Sequence, residues 1–142
     1  MQRNKFYSAA IALVLIAIFS TSWVSPKSTP DKIAATITAT FDFRTFPNVT
    51  GSFTASWGGV TRTGLSTMQI DLNSNGTRGH CVVTLYPSGG GSITIHQECV
   101  FATPIPQGRW EIVSGTGAYT NLQGNGSLTM PPETEAMVGF IY

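Results

Sequence analysis

The feature that most constrains this chain is a strict two-residue alternation, broken only where glycine or proline clusters occur. "IAATITATFDF" (33–43) puts Ile33, Ala35, Ile37, Ala39, Phe41 and Phe43 on one face. Thr36, Thr38, Thr40 and Asp42 fall on the other. "VTGSFTASW" sets Val49, Phe53, Ala55 and Trp57 against Thr50, Ser52, Thr54 and Ser56. "STMQIDL" sets Met68, Ile70 and Leu72 against Thr67, Gln69 and Asp71. Successive side chains of a strand point to opposite faces, so one apolar face marks half-exposed antiparallel strands. Nothing beyond residue 32 shows a helical apolar period with a cap.

Further strands are expected at roughly 77–86, 92–102, 109–114, 118–130 and 135–142, with breaks at FPNV, GGVTRTG, NSNG, PSGGGS, TPIPQG, SGTG and MPPET. All fifteen glycines lie beyond residue 50, where they punctuate runs of Thr, Val, Ile, Phe and Tyr. The fold class is therefore all-β. Eight sequential strands with short turns fit an eight-stranded antiparallel up-and-down barrel, or alternatively a two-sheet β-sandwich.

Three segments divide the 142 residues. "MQRNK" is basic, and residues 6–24 run without a charge, the pattern of an export signal. The run is also long enough for a membrane anchor. Residues 1–24 are thus expected to form a hydrophobic signal peptide or anchor helix, and a buried helix is the third reading. Residues 25–32, "SPKSTPDK", form a polar linker, and 33–142 the β-domain. Either targeting reading places that domain in the secreted or cell-envelope compartment, with membrane contact only through the N-terminal segment. Within 33–142, four arginines face six acidic residues. No basic patch exists to neutralise phosphates, which argues against nucleic acid as a partner.

Cys81 and Cys99 are the two cysteines. A hairpin centred on Gly90 would set Leu85 against Ile95 and Cys81 against Cys99, with Val83, Ile93 and Phe101 on the same apolar face. In an exported protein such a pair is expected to form a disulfide, contributing about 3 kcal/mol by loop closure. A zinc site from His80, Cys81, His96 and Cys99 fails on geometry, because residues one or three apart on a strand diverge. No metal or cofactor is expected. His80, His96 and Glu98 share the polar face, where they are either solvated or a small acid–base site.

The aromatics Phe41, Phe43, Phe53 and Trp57 occupy apolar faces, and Trp110 is expected to join them. They either fill a barrel or line a cavity for a small apolar ligand.

"GRWEIVSGTGAYTNLQGNGSLTM" (108–130) is rich in glycine, yet it has no lysine and no following helix, so it is not a phosphate loop. Ala118, Leu122, Gly124, Gly126, Leu128 and Met130 share parity, which is expected of a curved barrel strand. This element resembles the strand–turn–aromatic–strand unit of the allene oxide cyclase barrel and dirigent families. Ile112 and Val113 supply the strand, Gly115, Thr116 and Gly117 the turn, Tyr119 the aromatic and Gly124 the later glycine. Ser114 stands where those families often carry another glycine. The resemblance implies an eight-stranded barrel with an apolar cavity, often a homo-oligomer, and cofactor-independent cyclase or isomerase chemistry as one activity. The first strands carry no carboxylate on their apolar faces. The expectation is therefore a binder of a small apolar or aromatic molecule, with the cyclase reading second and a structural or adhesive domain third.

Overall fold

A computed structural model describes residues 29–132 and 134–142; the expected signal or anchor helix and the first half of the linker lie outside these residues. Eight strands follow one another: β1 (Ile33–Asp42), β2 (Asn48–Trp57), β3 (Val60–Leu72), β4 (Arg78–Pro87), β5 (Ser92–Val100), β6 (Gln107–Thr116), β7 (Gly124–Thr129) and β8 (Thr134–Ile141). Each pairs antiparallel with the next, and β8 pairs with β1, so a single sheet closes into an up-and-down barrel. Closure removes the sheet edges and rules out the two-sheet sandwich.

The alternation works as expected. Ala35, Ile37, Ala39 and Phe41 of β1 are buried, as are Val49, Phe53, Ala55 and Trp57 of β2 and Met68 and Ile70 of β3. Cys81, Val83, Leu85, Ile93, Ile95 and Cys99 complete the inward face of the β4–β5 hairpin. Trp110 is buried on the inward face of β6 and lies against the Gly126–Gly139 pair of the neighbouring strands β7 and β8. A Cβ on either glycine would come within 2.8 Å of the indole ring. The indole Nε1 donates to the carbonyls of Ser127 at 3.0 Å and Val138 at 3.2 Å. Two glycines thus make the slot that Trp110 fills, and their bare backbone supplies its hydrogen-bond partners.

Four local expectations are corrected. The break expected over GGVTRTG shrinks to Gly58–Gly59, whose φ angles of +59° and +74° make a two-residue hairpin turn. The residues after it are β formers and extend β3 back to Val60, opposite Trp57. Phe43 does not continue β1. The Asp42 carboxylate accepts the Arg44 N–H and starts a 3₁₀ turn over Phe43–Thr45, which leaves Phe43 half-exposed at the barrel end.

The β4–β5 register is displaced by two residues from the symmetric one. Leu85 faces Ile93, Val83 faces Ile95, Cys81 faces Gln97 and Gly79 faces Cys99. The turn is asymmetric: Gly90 N–H closes on Pro87 O at 2.9 Å, and Gly91 follows at φ +79° as an extra residue. An even displacement keeps every side chain on its expected face while changing its partner. Cys81 and Cys99 therefore stand diagonal to one another, and both are buried free thiols rather than the expected disulfide.

The strand expected over 118–130 is confined to Gly124–Thr129. Gly117, at φ +60°, opens a 3₁₀ turn over Gly117–Tyr119. The Thr120 hydroxyl donates to Gly117 O at 2.8 Å, and Leu122 N–H to Tyr119 O at 3.0 Å. Local turn bonds therefore displace strand pairing, and the parity of Ala118 and Leu122 is not strand parity.

Candidate functional site

The barrel has two unlike ends. At one, the Tyr119 ring meets Trp57 edge to face at 6.5 Å, and the Arg62 guanidinium stacks over Trp57 at 3.8 Å. Arg62 also donates to the carbonyls of Val60 at 2.9 Å and Trp57 at 3.3 Å, which locks the stack. The Gly115-Thr116-Gly117 element delivers Tyr119 to this end, so it acts as a lid on the core. Gly124 begins β7 buried beneath it, where a Cβ would come within 2.7 Å of Phe140 O and of Ile141 Cδ1.

The other end is a mouth. Phe43, Phe101, Pro106, Met130, Pro131 and Pro132 form its rim. Met68, Ile70 and Cys81 project from β3 and β4 to make its floor. The cavity between them is about 170 Å³ and apolar. That volume is close to the ~150 Å³ of an engineered apolar cavity that takes up benzene. Phe43 also packs edge to face on Phe41 at 6.3 Å, which fixes one side of the rim.

Of the five aromatics expected to face a ligand, Phe43 alone lines this mouth. Phe41, Phe53, Trp57 and Trp110 are packed among the core side chains.

Polar groups lie within the barrel. Gln97, facing Cys81 across the β4–β5 ladder, is 1 % exposed, and Glu135 of β8 is equally buried. The Gln97 Nε2 donates to Glu135 Oε1 in a short contact and to Met137 Sδ at 3.5 Å. Burial pushes the Glu135 carboxyl up to about 7, against the opposing pull of the Gln97 hydrogen bond. Glu135 Oε2, Gln97 Oε1 and Ser66 Oγ have no hydrogen-bond partner among the described residues. The hydrogen bond with Cys81 comes first among the causes that push the Cys99 thiol up; burial and the charges of Cys81 and Glu135 add to it. Cys99 is thereby held as a thiol rather than a nucleophilic thiolate.

Glu135 and Gln97 were both within reach of sequence parity. Glu135, Met137 and Ile141 share one parity in β8, and Gln97 shares that of Ile93, Ile95 and Cys99. The apolar partners set the inward face, and the polar residue is carried in with them.

On the outer wall, the His80 and His96 rings sit edge to face at 5.1 Å. Glu98 faces His80 and Glu111 faces His96. Among the described residues no three His, Cys, Asp or Glu side chains converge on a metal position. An open groove of about 620 Å³ runs along Asp71, Arg78, His80, Glu98 and Arg109. It is larger than the mouth, but it lies on the polar outer wall and does not enclose an apolar guest.

Comparison with known proteins gave no match to any family model, curated protein or solved structure.

Proposed function

We propose that this chain works as an exported receptor for one small, compact apolar or aromatic molecule held in the barrel mouth. The observation that carries the reading is the 170 Å³ apolar cavity framed by Phe43, Phe101 and Pro131 over Met68, Ile70 and Cys81. Its opposite end is sealed by the Trp57–Tyr119–Arg62 stack, so the mouth is the open approach to the interior. Aromatic and proline rims present rigid apolar surface with little side-chain entropy to lose, which favours uptake of a compact guest. Export rests on the basic-then-apolar N-terminal pattern. Kinship with the allene oxide cyclase and dirigent barrels rests on the Gly115–Gly124 element and the eight-strand closure.

Native mass spectrometry of protein purified from its own host tests the reading. A co-purifying small molecule is expected, and its loss from Met130→Trp, which fills the mouth, places it there. Protein that carries no guest, and whose Met130→Trp variant behaves as wild type with added toluene, would overturn it.

A second reading, cofactor-independent isomerase or cyclase, is favoured by one observation: Glu135. A carboxyl titrating near neutrality in an apolar interior is suited to give or take a proton beside a bound substrate. Loss of turnover in Glu135→Gln with retained guest binding would support it over simple carriage.

A further inference from the structure

The barrel interior poses a hydrogen-bonding problem that its own residues do not solve. Among the described residues its buried polar side chains are Ser66, Gln97 and Glu135, and no arginine or lysine is buried with them. With the Glu135 carboxyl ionised, its Oε2 and Gln97 Oε1 are both acceptors, and neither has a donor among the described residues. The two side chains are already joined through Gln97 Nε2 and Glu135 Oε1, so both unfilled oxygens belong to one linked pair. The pair does not itself line the mouth but is tied to it through its neighbours: Gln97 faces the floor residue Cys81 across the β4–β5 ladder, and Glu135 is three residues beyond the rim residue Pro132.

We propose that the interior is a binding site for a small primary amine with an apolar or aromatic body, the body seated in the mouth and the ammonium held by the Glu135 carboxylate and the free Gln97 oxygen. The proposal rests on the mouth being a receptor site, and it adds the chemical class of the guest. An ammonium offers three N–H donors and a positive charge, so it can serve both acceptors and neutralise the carboxylate. An alcohol or phenol brings one donor and no charge. A carboxylic acid brings a second acceptor, and as an anion it is repelled by Glu135. A hydrocarbon leaves both oxygens unpaired. An amine alone of these guests matches the donor count, the charge and the apolar path.

The test compares toluene, benzyl alcohol and benzylamine, three probes that share one ring, by chemical-shift titration of the isotope-labelled chain at about pH 8, where the Glu135 carboxylate is ionised. Benzylamine is expected to bind at least about tenfold tighter than either neutral probe, the advantage of a charge-assisted pair. Glu135→Gln is expected to abolish that advantage while toluene affinity stays within about twofold. Equal binding of all three probes would overturn the amine assignment and leave the mouth reading standing. Binding of none would overturn both. Equal weakening of all three in Glu135→Gln would also overturn it, as would a buried water serving the two oxygens unchanged at saturating benzylamine. Should the variant fail to fold, the wild type at about pH 5 serves instead: the protonated carboxyl should lose the preference for the amine. The thiols beside Glu135 are those of Cys81 on β4 and Cys99 on β5, and the Cys99 thiol, pushed up by its hydrogen bond with Cys81 and by burial, keeps its proton across this range.

Discussion

Replacing Glu135 by Gln should change how stability depends on pH. The carboxyl has an ordinary value of 4.5 and is pushed up to about 7 by burial in the barrel. Below the ordinary value it is protonated in both folded and unfolded chains, and its burial carries no charge penalty. As pH rises, the unfolded carboxyl ionises first while the folded one keeps its proton, and the unfolded state gains. The loss of folding stability grows until pH passes about 7, where the folded carboxyl also ionises and the difference levels off. At about 1.4 kcal/mol per unit, the span corresponds to roughly 3 kcal/mol, a large share of the stability of a small domain. The Cys99 thiol, which senses the Glu135 charge, is pushed up and does not titrate in this window. Glutamine keeps the shape and the acceptor for Gln97 Nε2 and cannot ionise.

Urea unfolding of both proteins at half-unit steps from about pH 4 to pH 8 measures the effect. The midpoints should coincide at the acid end and separate steadily, with Glu135→Gln more stable by about 3 kcal/mol at the alkaline end. Groups exposed in both proteins contribute equally and cancel in the difference. Two parallel curves, with no growing separation, would refute a carboxyl buried without a counter-charge.

Gly124→Val should destabilise the barrel by about 2–3 kcal/mol, because its Cβ meets Phe140 O and Ile141 Cδ1 at 2.7 Å; a thermal melt matching wild type would count against that packing. Trp110→Phe should cost about 1–3 kcal/mol in urea unfolding, since the carbonyls of Ser127 and Val138 lose the indole donor. Cys81 and Cys99 should resist alkylation in the native protein and both react on unfolding; a mass about two daltons low before reduction would show them bonded instead.

What was legible in the sequence was set by parity. Ile37, Ala39, Val83 and Ile95 could be placed inside because alternation has only two outcomes per strand, whereas eight strands with short turns fitted a closed barrel and a two-sheet sandwich alike, and only the β1–β8 pairing decides between them. The turns were less legible because they depend on which glycine takes the left-handed conformation. Gly58–Gly59 makes a two-residue turn where seven residues were set aside, and Gly91 stands outside the Pro87–Gly90 turn, which moves Cys81 from Cys99 to Gln97. Gly117 did the same at Tyr119, turning an expected strand into a lid. The interior pair was missed for another reason. Glu135 and Gln97 are polar residues on inward parities, and composition draws the eye to the apolar neighbours that bury them. The mouth was beyond reach because its rim comes from segments far apart in sequence, Phe43, Phe101, Pro106 and Met130 to Pro132, which only closure brings together.

The central claim is that the mouth holds a small apolar guest, and methionine-methyl NMR during a toluene titration tests it most directly. Met68 and Met130 line the cavity, whereas Met137 is packed within the core beside Gln97. Saturable shifts at Met68 and Met130, much larger than at Met137, are the result expected. Methyl signals that stay in place to the solubility limit of toluene would contradict the claim.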